Sequence, residues 1–249
     1  MTKEYANSIM QANEIYEAYE NYLEYDEKVE ICTDAAAERK EAKDIYRHDS
    51  NEQIIANYYA KCARDSSNED MPQNQVGFYK MAIDYYFDSY AVSCKYGTDK
   101  NKALSYAATC YYNIGMCAAV DETVRKEVFL YSIALYELYL EDEVDDELVT
   151  KSNIARAYMN LCKLEDKENG DNASLKMYYA ESAYNEYANI LKSPLCITKL
   201  RPVIYEELTY LTQYMLDNID KSSYTEPFTK ENLREAHDKY NNQEDYYIR

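Results

Sequence analysis

The sequence predicts an all-α protein, a right-handed array of antiparallel helical hairpins with about nine helices. The first observation behind this prediction is a shortage of turn residues. The 4 Gly and 4 Pro in 249 residues are too few for a β-sandwich or a barrel. The second is periodicity, because stretches of about twenty residues with apolar side chains at helical spacing alternate with short polar connections. A hydrophobic fraction of 47% is enough to build a sizeable core.

Tyrosine spacing and caps mark the N-terminal elements. Tyrosine recurs at every third position within residues 3–31, which predicts an amphipathic helix or hairpin: Tyr16, Tyr19, Tyr22 and Tyr25. The Thr33-Asp34 pair is suited to cap the following helix, which runs to residue 47. Ser50, with Gln53 three residues later, forms a capping box for a helix over residues 54–63. Residues 65–75 then form the first clear loop.

Glycine, proline and an acidic cap punctuate the regular part of the chain. Helices are predicted there over residues 76–96, 102–119, 121–140, 148–164, 173–191 and 203–216. Gly97 ends the first of these, and Asp121 starts the third. The Ser193-Pro194 pair stops the fifth, and Pro202 lies at the N1 position of the last.

The predicted domain organisation is a single array over residues 1–219, followed by a tail. Residues 1–64 hold the N-terminal helices and residues 75–219 the regular hairpins. Residues 220–249 form an acidic tail, with a short helix predicted over residues 230–240. Two hypotheses apply to this tail. It is a frayed terminus, or it docks on the array and competes with partners through Tyr246, Tyr247 and Ile248.

An internal match supports the repeat architecture. The segments YYNIGMC and AYMNLCK align, and Asn113 of the first matches Asn160 of the second, 47 residues later. In each case the matching segment lies on the first helix of a hairpin, and a tyrosine-rich helix follows. Periods of this length are typical of stacked helical hairpins.

Charge and composition exclude several functions. The chain has 46 acidic and 27 basic residues, a net charge of −19, whereas a nucleic-acid binder needs a basic surface. We therefore expect no direct binding to nucleic acid. The N-terminus lacks a basic stretch followed by an apolar one, and no run of about 18 apolar residues occurs. We expect a cytoplasmic protein that does not enter the membrane.

Cysteine and histidine offer little material for catalysis or for metal binding. The 7 Cys include no CxxC pair, which favours reduced, mostly buried thiols over a disulfide framework or a zinc site. The 2 histidines, His48 and His237, are far apart in the sequence. A catalytic Cys–His pair or a multi-histidine metal site is therefore not expected. We predict no enzyme activity, no metal and no cofactor.

Tyrosine is the compositional outlier, with 31 copies beside 4 Phe and 0 Trp. The tyrosines cluster at helical spacing, which favours packing between helices, because the ring is buried while the hydroxyl reaches the boundary. An aromatic-lined groove for a peptide is the functional alternative.

Gly115 also allows a structural and a functional explanation, since glycine inside a helix costs about 1 kcal/mol relative to alanine. Close helix approach is the preferred explanation, and an opening for a ligand is the alternative.

Residues 154–191 resemble a tetratricopeptide unit. The pair Leu161-Cys162 stands where that family carries Leu-Gly, Gly170 lies at the turn, and Ala183 lies near the small-residue position. The resemblance covers at most the middle and C-terminal two-thirds of the chain. It implies stacked hairpins whose concave face binds a peptide or a partner helix.

The length, acidity and helical layout of the chain also resemble the 14-3-3 fold. The pair Tyr111-Tyr112 and Asn160 fall in the helices where that family presents its phosphate-contacting and backbone-clamping side chains. Arg47 follows Tyr46 at the place of an early basic residue, and Asn113 stands where the family carries arginine. This resemblance implies a homodimer that binds phosphorylated segments.

These considerations select five candidate peptide-binding residues: Arg47, Tyr112, Asn113, Arg156 and Asn160. Asparagine amides both donate and accept, so on a helical face they hold a peptide backbone without reading its side chains. The structural alternatives are a hydrogen bond between helices and simple exposure. We predict a non-enzymatic adaptor whose acidic surface favours basic partners through long-range steering. The alternative function is a 14-3-3-like dimer that binds phosphorylated segments.

Overall fold

A computed structural model describes residues 51–68, 72–96, 101–141, 144, 146–167, 173–194, 196, 200–221 and 228–242. Every regular element in these ranges is helical, which confirms the all-α prediction. The α-helices of the described residues are α1 (Asn51–Asn68), α2 (Pro72–Tyr96), α3 (Asn101–Met116), α4 (Glu122–Leu140), α5 (Glu147–Lys167), α6 (Ala173–Lys192), α7 (Arg201–Asn218) and α8 (Lys230–Asn241). The short 3-10 turn Ile219–Lys221 follows α7. The predicted helices before residue 51 lie outside the described residues.

The chain divides into two compact units, with the boundary after residue 143 inside the acidic link EDEVDDE. In the first unit α1 pairs with α2, α3 pairs with α4, and α2 packs on α3. In the second unit α5 pairs with α6, α7 pairs with α8, and α6 packs on α7. Helices within each unit thus pack on their neighbours in sequence order, as a hairpin array requires. The single array over residues 1–219 stays a prediction.

The first helices of three hairpins repeat one burial pattern. Three series of apolar residues in or just after α3, α5 and α7 recur every 47 residues: Tyr111, Tyr158 and Tyr205; Ile114, Leu161 and Leu208; Cys117, Leu164 and Leu211. Every member is buried except Tyr158, which is half-buried. The match between Asn113 and Asn160 therefore reflects a shared structural register, because equal spacing from buried positions places both residues on the same helix face.

The second helices repeat a buried tyrosine. It recurs at intervals of 50, 51 and 53 residues, at Tyr86, Tyr136, Tyr187 and Tyr240. The Tyr86 hydroxyl donates to Oδ1 of Asn57 on α1 at 2.7 Å. The Tyr136 hydroxyl lies 2.8 Å from Oγ1 of Thr109 on α3. Because a buried hydroxyl needs a partner, these bonds fix the second helix against the first.

A small residue lies one turn before each of these tyrosines: Ala82, Ser132, Ala183 and Ala236. In the α3/α4 hairpin, Ser132 Oγ donates to the carbonyl oxygen of Ala108 at 2.8 Å. A side chain that reaches a backbone carbonyl of the neighbouring helix requires close approach of the two helices. The small residue therefore sets the spacing within the hairpin, and the tyrosine fills the space beside it.

The ends of several predicted helices differ from the structure. The predicted loop over residues 65–75 is too long, because α1 continues to Asn68 and α2 begins at Pro72. Proline is tolerated there, since the first turn of a helix does not use its backbone N–H groups. Helix α3 ends at Met116 and not at residue 119. The chain instead turns through a bond from the Val120 N–H to the Cys117 carbonyl, 3.2 Å long, and buries both residues.

The caps of α4 and α8 show why these helices begin where they do. Asp121 accepts from the Thr123 N–H at 2.9 Å, which confirms the predicted start of α4. Thr229 accepts from the Asn232 N–H at 3.1 Å at the start of α8. Helix α8 confirms the predicted short helix and packs on α7. Residues 243–249, with Tyr246, Tyr247 and Ile248, lie outside the described residues.

Gly115 lies at the closest approach of α3 and α4. A Cβ atom at this position would lie 2.8 Å from Cε1 and Cζ of Phe129, which is fully buried. The Gly115 carbonyl also accepts from Nε of Arg125 at 2.7 Å, near the C-terminal end of α3. Gly115 therefore serves packing between the helices, and it does not open a space for a ligand.

We expect Gly115→Ala to destabilise the protein. Overpacking against Phe129 costs about 1–3 kcal/mol, whereas alanine gains about 1 kcal/mol of helix propensity. The free energy of unfolding should fall by up to about 2 kcal/mol in urea denaturation followed by circular dichroism. Phe129→Leu alone leaves a cavity, but in the Gly115→Ala background it relieves the clash. Additive effects of the two substitutions would contradict the contact.

The cysteines of the described residues are free thiols, in agreement with the prediction. Cys94 is exposed and Cys62 half-buried, whereas Cys110, Cys117, Cys162 and Cys196 are buried. Burial raises the pKa of Cys110 to about 12, against a smaller opposing effect of Arg64. Since the thiolate is the reactive form, Cys110 is a packing residue and not a nucleophile.

Alkylation with iodoacetamide at neutral pH should separate these thiols. Cys94 should be modified first, because its side chain is exposed. Cys110 should react only as fast as the protein unfolds, since the folded state both covers the thiol and disfavours its thiolate. Peptide mass spectrometry over a time course measures both rates. Equal rates for Cys94 and Cys110 in the native protein would show that this core is open.

Candidate functional site

The first helices α3, α5 and α7 each carry one row of side chains that are exposed or half-buried. We call these the outward rows, and they consist of positions 102, 106, 109, 113 and 116 in α3, positions 149, 153, 156, 160 and 163 in α5, and positions 203, 207 and 210 in α7. Residues three or four apart share one helix face, so each row is continuous along its helix. The rows correspond to one another at the same 47-residue spacing as the buried series.

Exposed apolar side chains concentrate on these rows. Among the described residues, five of the seven large hydrophobic side chains that remain exposed lie there: Tyr106, Met116, Val149, Val203 and Tyr210. The other two, Leu130 and Tyr178, lie on the second helices. Apolar groups that lie among polar groups on the exposed face of a helix are typical of protein-binding surfaces.

In the second unit, the rows of α5 and α7 meet. The Lys163 ammonium lies 5.2 Å from the centre of the Tyr210 ring, a cation–π distance. Glu207 interacts electrostatically with Lys163 and Arg156, both on α5. We call the group Arg156, Asn160, Lys163, Glu207 and Tyr210 the α5/α7 surface.

Glu207 is the one half-buried acid on the α5/α7 surface. Partial burial raises the pKa of its carboxyl above the ordinary value. Lys163 and Arg156 favour the carboxylate and lower the pKa, whereas the neighbouring Glu206 raises it. The surface thus combines two exposed cations with a carboxylate that is partly withdrawn from water.

Of the sequence-predicted site residues, Arg156 and Asn160 lie together on this surface. Arg156 is exposed and Asn160 is half-buried. Nδ2 of Asn160 donates to the Arg156 carbonyl at 3.0 Å, a bond within α5. The two residues share a row because they are four positions apart.

The other predicted site residues are placed differently. Asn113 is half-buried on the outward row of α3, in the first unit. Tyr112 is also half-buried, but its ring lies edge-on to Phe129 of α4, with ring centres 5.6 Å apart. Tyr112 therefore belongs to the packing of its hairpin. Arg47 lies outside the described residues.

Three residues of the α5/α7 surface were missed from the sequence: Lys163, Glu207 and Tyr210. The signal that identifies them is the same spacing that joins Asn113 to Asn160. A further step of 47 residues leads from Asn160 to Glu207, and from Lys163 to Tyr210. The third member of the series carries glutamate in place of asparagine, so identity matching does not reveal it.

The chemistry available on the rows is recognition by hydrogen bonds, charge and apolar contact. Within the residues that the structure describes, no cluster of three or more His, Cys, Asp or Glu side chains is arranged to hold a metal ion. In the same ranges, every helix is too short or too polar to cross a bilayer. Comparison with known protein families and with curated proteins found no match for the chain.

Glu207→Gln should change how stability depends on pH. Because the folded state raises the pKa of the carboxyl, it binds more protons than the unfolded state between the two pKa values. Wild-type stability therefore falls as pH rises through that interval, and the glutamine variant avoids this loss. In thermal melts between about pH 4 and about pH 7, the melting temperature of the variant should rise relative to that of the wild type as pH increases. Glu206→Gln is the matched control, and an equal gain there would contradict the assignment.

Proposed function

We propose that this protein is a non-enzymatic adaptor that binds a peptide or a partner helix on an outward row, either that of α3 in the first unit or those of α5 and α7 in the second. The observation that carries the proposal is the concentration of exposed apolar side chains on the rows of α3, α5 and α7. Amides and charges lie between these apolar groups, which suits a polypeptide ligand that has both backbone polar groups and apolar side chains.

Tyr210 is the central contact of this proposal. Its ring is 41% exposed, although one side is covered by the Lys163 ammonium. A tyrosine offers a large apolar area at a low cost in side-chain entropy, and tyrosine is enriched where proteins bind. Asn160 lies on the outward row of α5 and supplies a side-chain amide that can hydrogen-bond to a peptide backbone.

A non-enzymatic role is supported by the surroundings of His237. Nδ1 of His237 lies 3.2 Å from Oγ1 of Thr212 and 3.3 Å from the carbonyl oxygen of Thr209. These contacts tie α8 to α7 in the packing of the last hairpin. We also propose a cytoplasmic location, which the free thiols of the described cysteines support.

The second candidate function is a 14-3-3-like dimer that binds phosphorylated segments. Arg156 and Lys163 favour it, since two cations on one helix face are suited to a phosphate group. In this hypothesis Arg47 is a further basic residue that contacts the phosphate. Phosphate dependence of binding separates this candidate from the phosphate-independent adaptor.

Affinity capture from a native lysate tests the adaptor proposal. The wild-type chain should retain partner proteins, and Tyr210→Ala should retain less than about a tenth as much, as expected for loss of a central aromatic contact. Tyr178→Ala is the matched control, because Tyr178 is similarly exposed, at 46%, but lies on α6. Equal losses in the two variants, or no partner on the wild type, would contradict the proposal. Phosphatase treatment of the lysate removes the partners only if the phosphopeptide function is correct.

A further inference from the structure

The outward row of α5 is cationic in a strongly acidic protein. Its residues are Val149, Asn153, Arg156, Asn160 and Lys163, which include two cations and no acid. The whole chain, by contrast, has 46 acidic and 27 basic residues. A row of this composition therefore differs from the average surface of the molecule.

The Glu207 carboxylate interacts electrostatically with both cations, but it forms no direct ion pair with either. Within the described part of the chain, neither Arg156 nor Lys163 forms an ion pair or a side-chain hydrogen bond. Lys163 contacts the Tyr210 ring, and Arg156 acts on Glu207 only through longer-range electrostatics. Both side chains are exposed.

Two other basic residues of the second unit do pair with acids. Lys151 Nζ lies 2.5 Å from Oε1 of Glu147, one turn away on α5. Lys230 pairs with Asp220 at the start of α8. Within the described residues Arg156 and Lys163 form no such direct pair, so we take their donors to be open to an external anion.

The arrangement of the two cations fits more than one acidic group. Arg156 and Lys163 are seven residues apart, which is about 10 Å along a helix that rises 1.5 Å per residue. Two carboxylates of one ligand segment can occupy both positions. The cation–π contact holds the Lys163 ammonium beside an exposed aromatic face, so an apolar group of the same ligand can pack on Tyr210.

We propose that the α5/α7 surface binds an acidic segment of a partner protein, with Asp or Glu side chains on Arg156 and Lys163 and an apolar side chain on Tyr210. This inference rests on the proposed adaptor function. It departs from the basic partner that the net charge predicts, because the field of the whole chain is screened over a Debye length of about 8–10 Å. At contact distance, the electrostatic energy between ligand and surface therefore depends on the charges nearest to the ligand.

Glu206 and Glu207 of α7 orient such a ligand. Glu207 interacts electrostatically with Lys163 and Arg156, Glu206 lies beside it on α7, and both acids repel a carboxylate placed over α7. The acidic residues of the ligand therefore belong over α5, and its apolar residue belongs over α7. The same repulsion means that Glu207→Gln should bind the acidic ligand severalfold more tightly than the wild type.

A displayed library of random dodecapeptides, selected on the full chain, tests the inference. Enriched peptides should carry at least two Asp or Glu residues and an apolar residue. Fluorescence anisotropy with one such peptide should show affinity lowered by about a hundredfold in Arg156→Glu with Lys163→Glu, which corresponds to two charged contacts of about 1.4 kcal/mol each. The matched control is Lys192→Glu with Arg234→Glu, an equal charge change at exposed positions of α6 and α8, and it should bind within about twofold of the wild type.

Four results would overturn the inference. Enrichment of Lys- or Arg-rich peptides would leave the adaptor function standing but assign the opposite ligand charge. Equal losses of affinity in the two double variants would show a general charge effect. A selected peptide that binds far more tightly once phosphoserine replaces its acidic residues would support the phosphopeptide function instead. If no peptide is enriched, the adaptor function fails together with the inference.

Discussion

A tyrosine that the second helix buries in its hairpin is the contact on which the described structure depends. The Tyr86 and Tyr136 hydroxyls reach Asn57 and Thr109 on the first helices, so each bond fixes the rotation of one helix against the other. Tyr240 of α8 is also buried, with its ring 6.1 Å from that of Tyr205 on α7, but its hydroxyl lies 3.3 Å from the hydroxyl of Tyr184 on α6. In α3 the outward row borders this contact, because Thr109 is both the partner of Tyr136 and a half-buried member of the row.

The buried series keep apolar residues at constant spacing, whereas the outward rows differ in residue type from helix to helix. The row of α3 carries the apolar Tyr106 and Met116, the row of α5 carries cations, and the row of α7 carries Glu207 and Tyr210. These changes do not touch the buried series, which keep their spacing of 47 residues. The residues that form the core and the residues that we propose for recognition therefore occupy largely different positions of the same helices.

The sequence predicts local signals well and tertiary context poorly. Asp121 was predicted to cap α4, and it does so by accepting a hydrogen bond from Thr123. Gly115 was noticed because glycine is unfavourable inside a helix, and the structure shows the Phe129 ring packed against it. The Asn113–Asn160 match also gave the correct register. Tyr112 was predicted as a peptide-binding candidate, and only the structure shows that its half-buried ring packs beside Phe129. Glu207 was missed because its side chain differs in chemistry from those at the equivalent positions, although its spacing does not.

The tetratricopeptide and 14-3-3 resemblances stay predictions. The intervals of 47 to 53 residues exceed the roughly 34 of a tetratricopeptide repeat.

Site-specific photo-crosslinking tests most directly the proposal that partner proteins bind at the outward rows of the two units. A benzophenone side chain is placed at positions 106, 160 and 210 on the rows, and at positions 130 and 178 on the second helices, in the full chain. Irradiation in a native lysate should join partner proteins to the row positions and not to the second helices. Crosslinks that arise only from positions 130 and 178 would contradict the account, because the partner would then contact a different face of the hairpins.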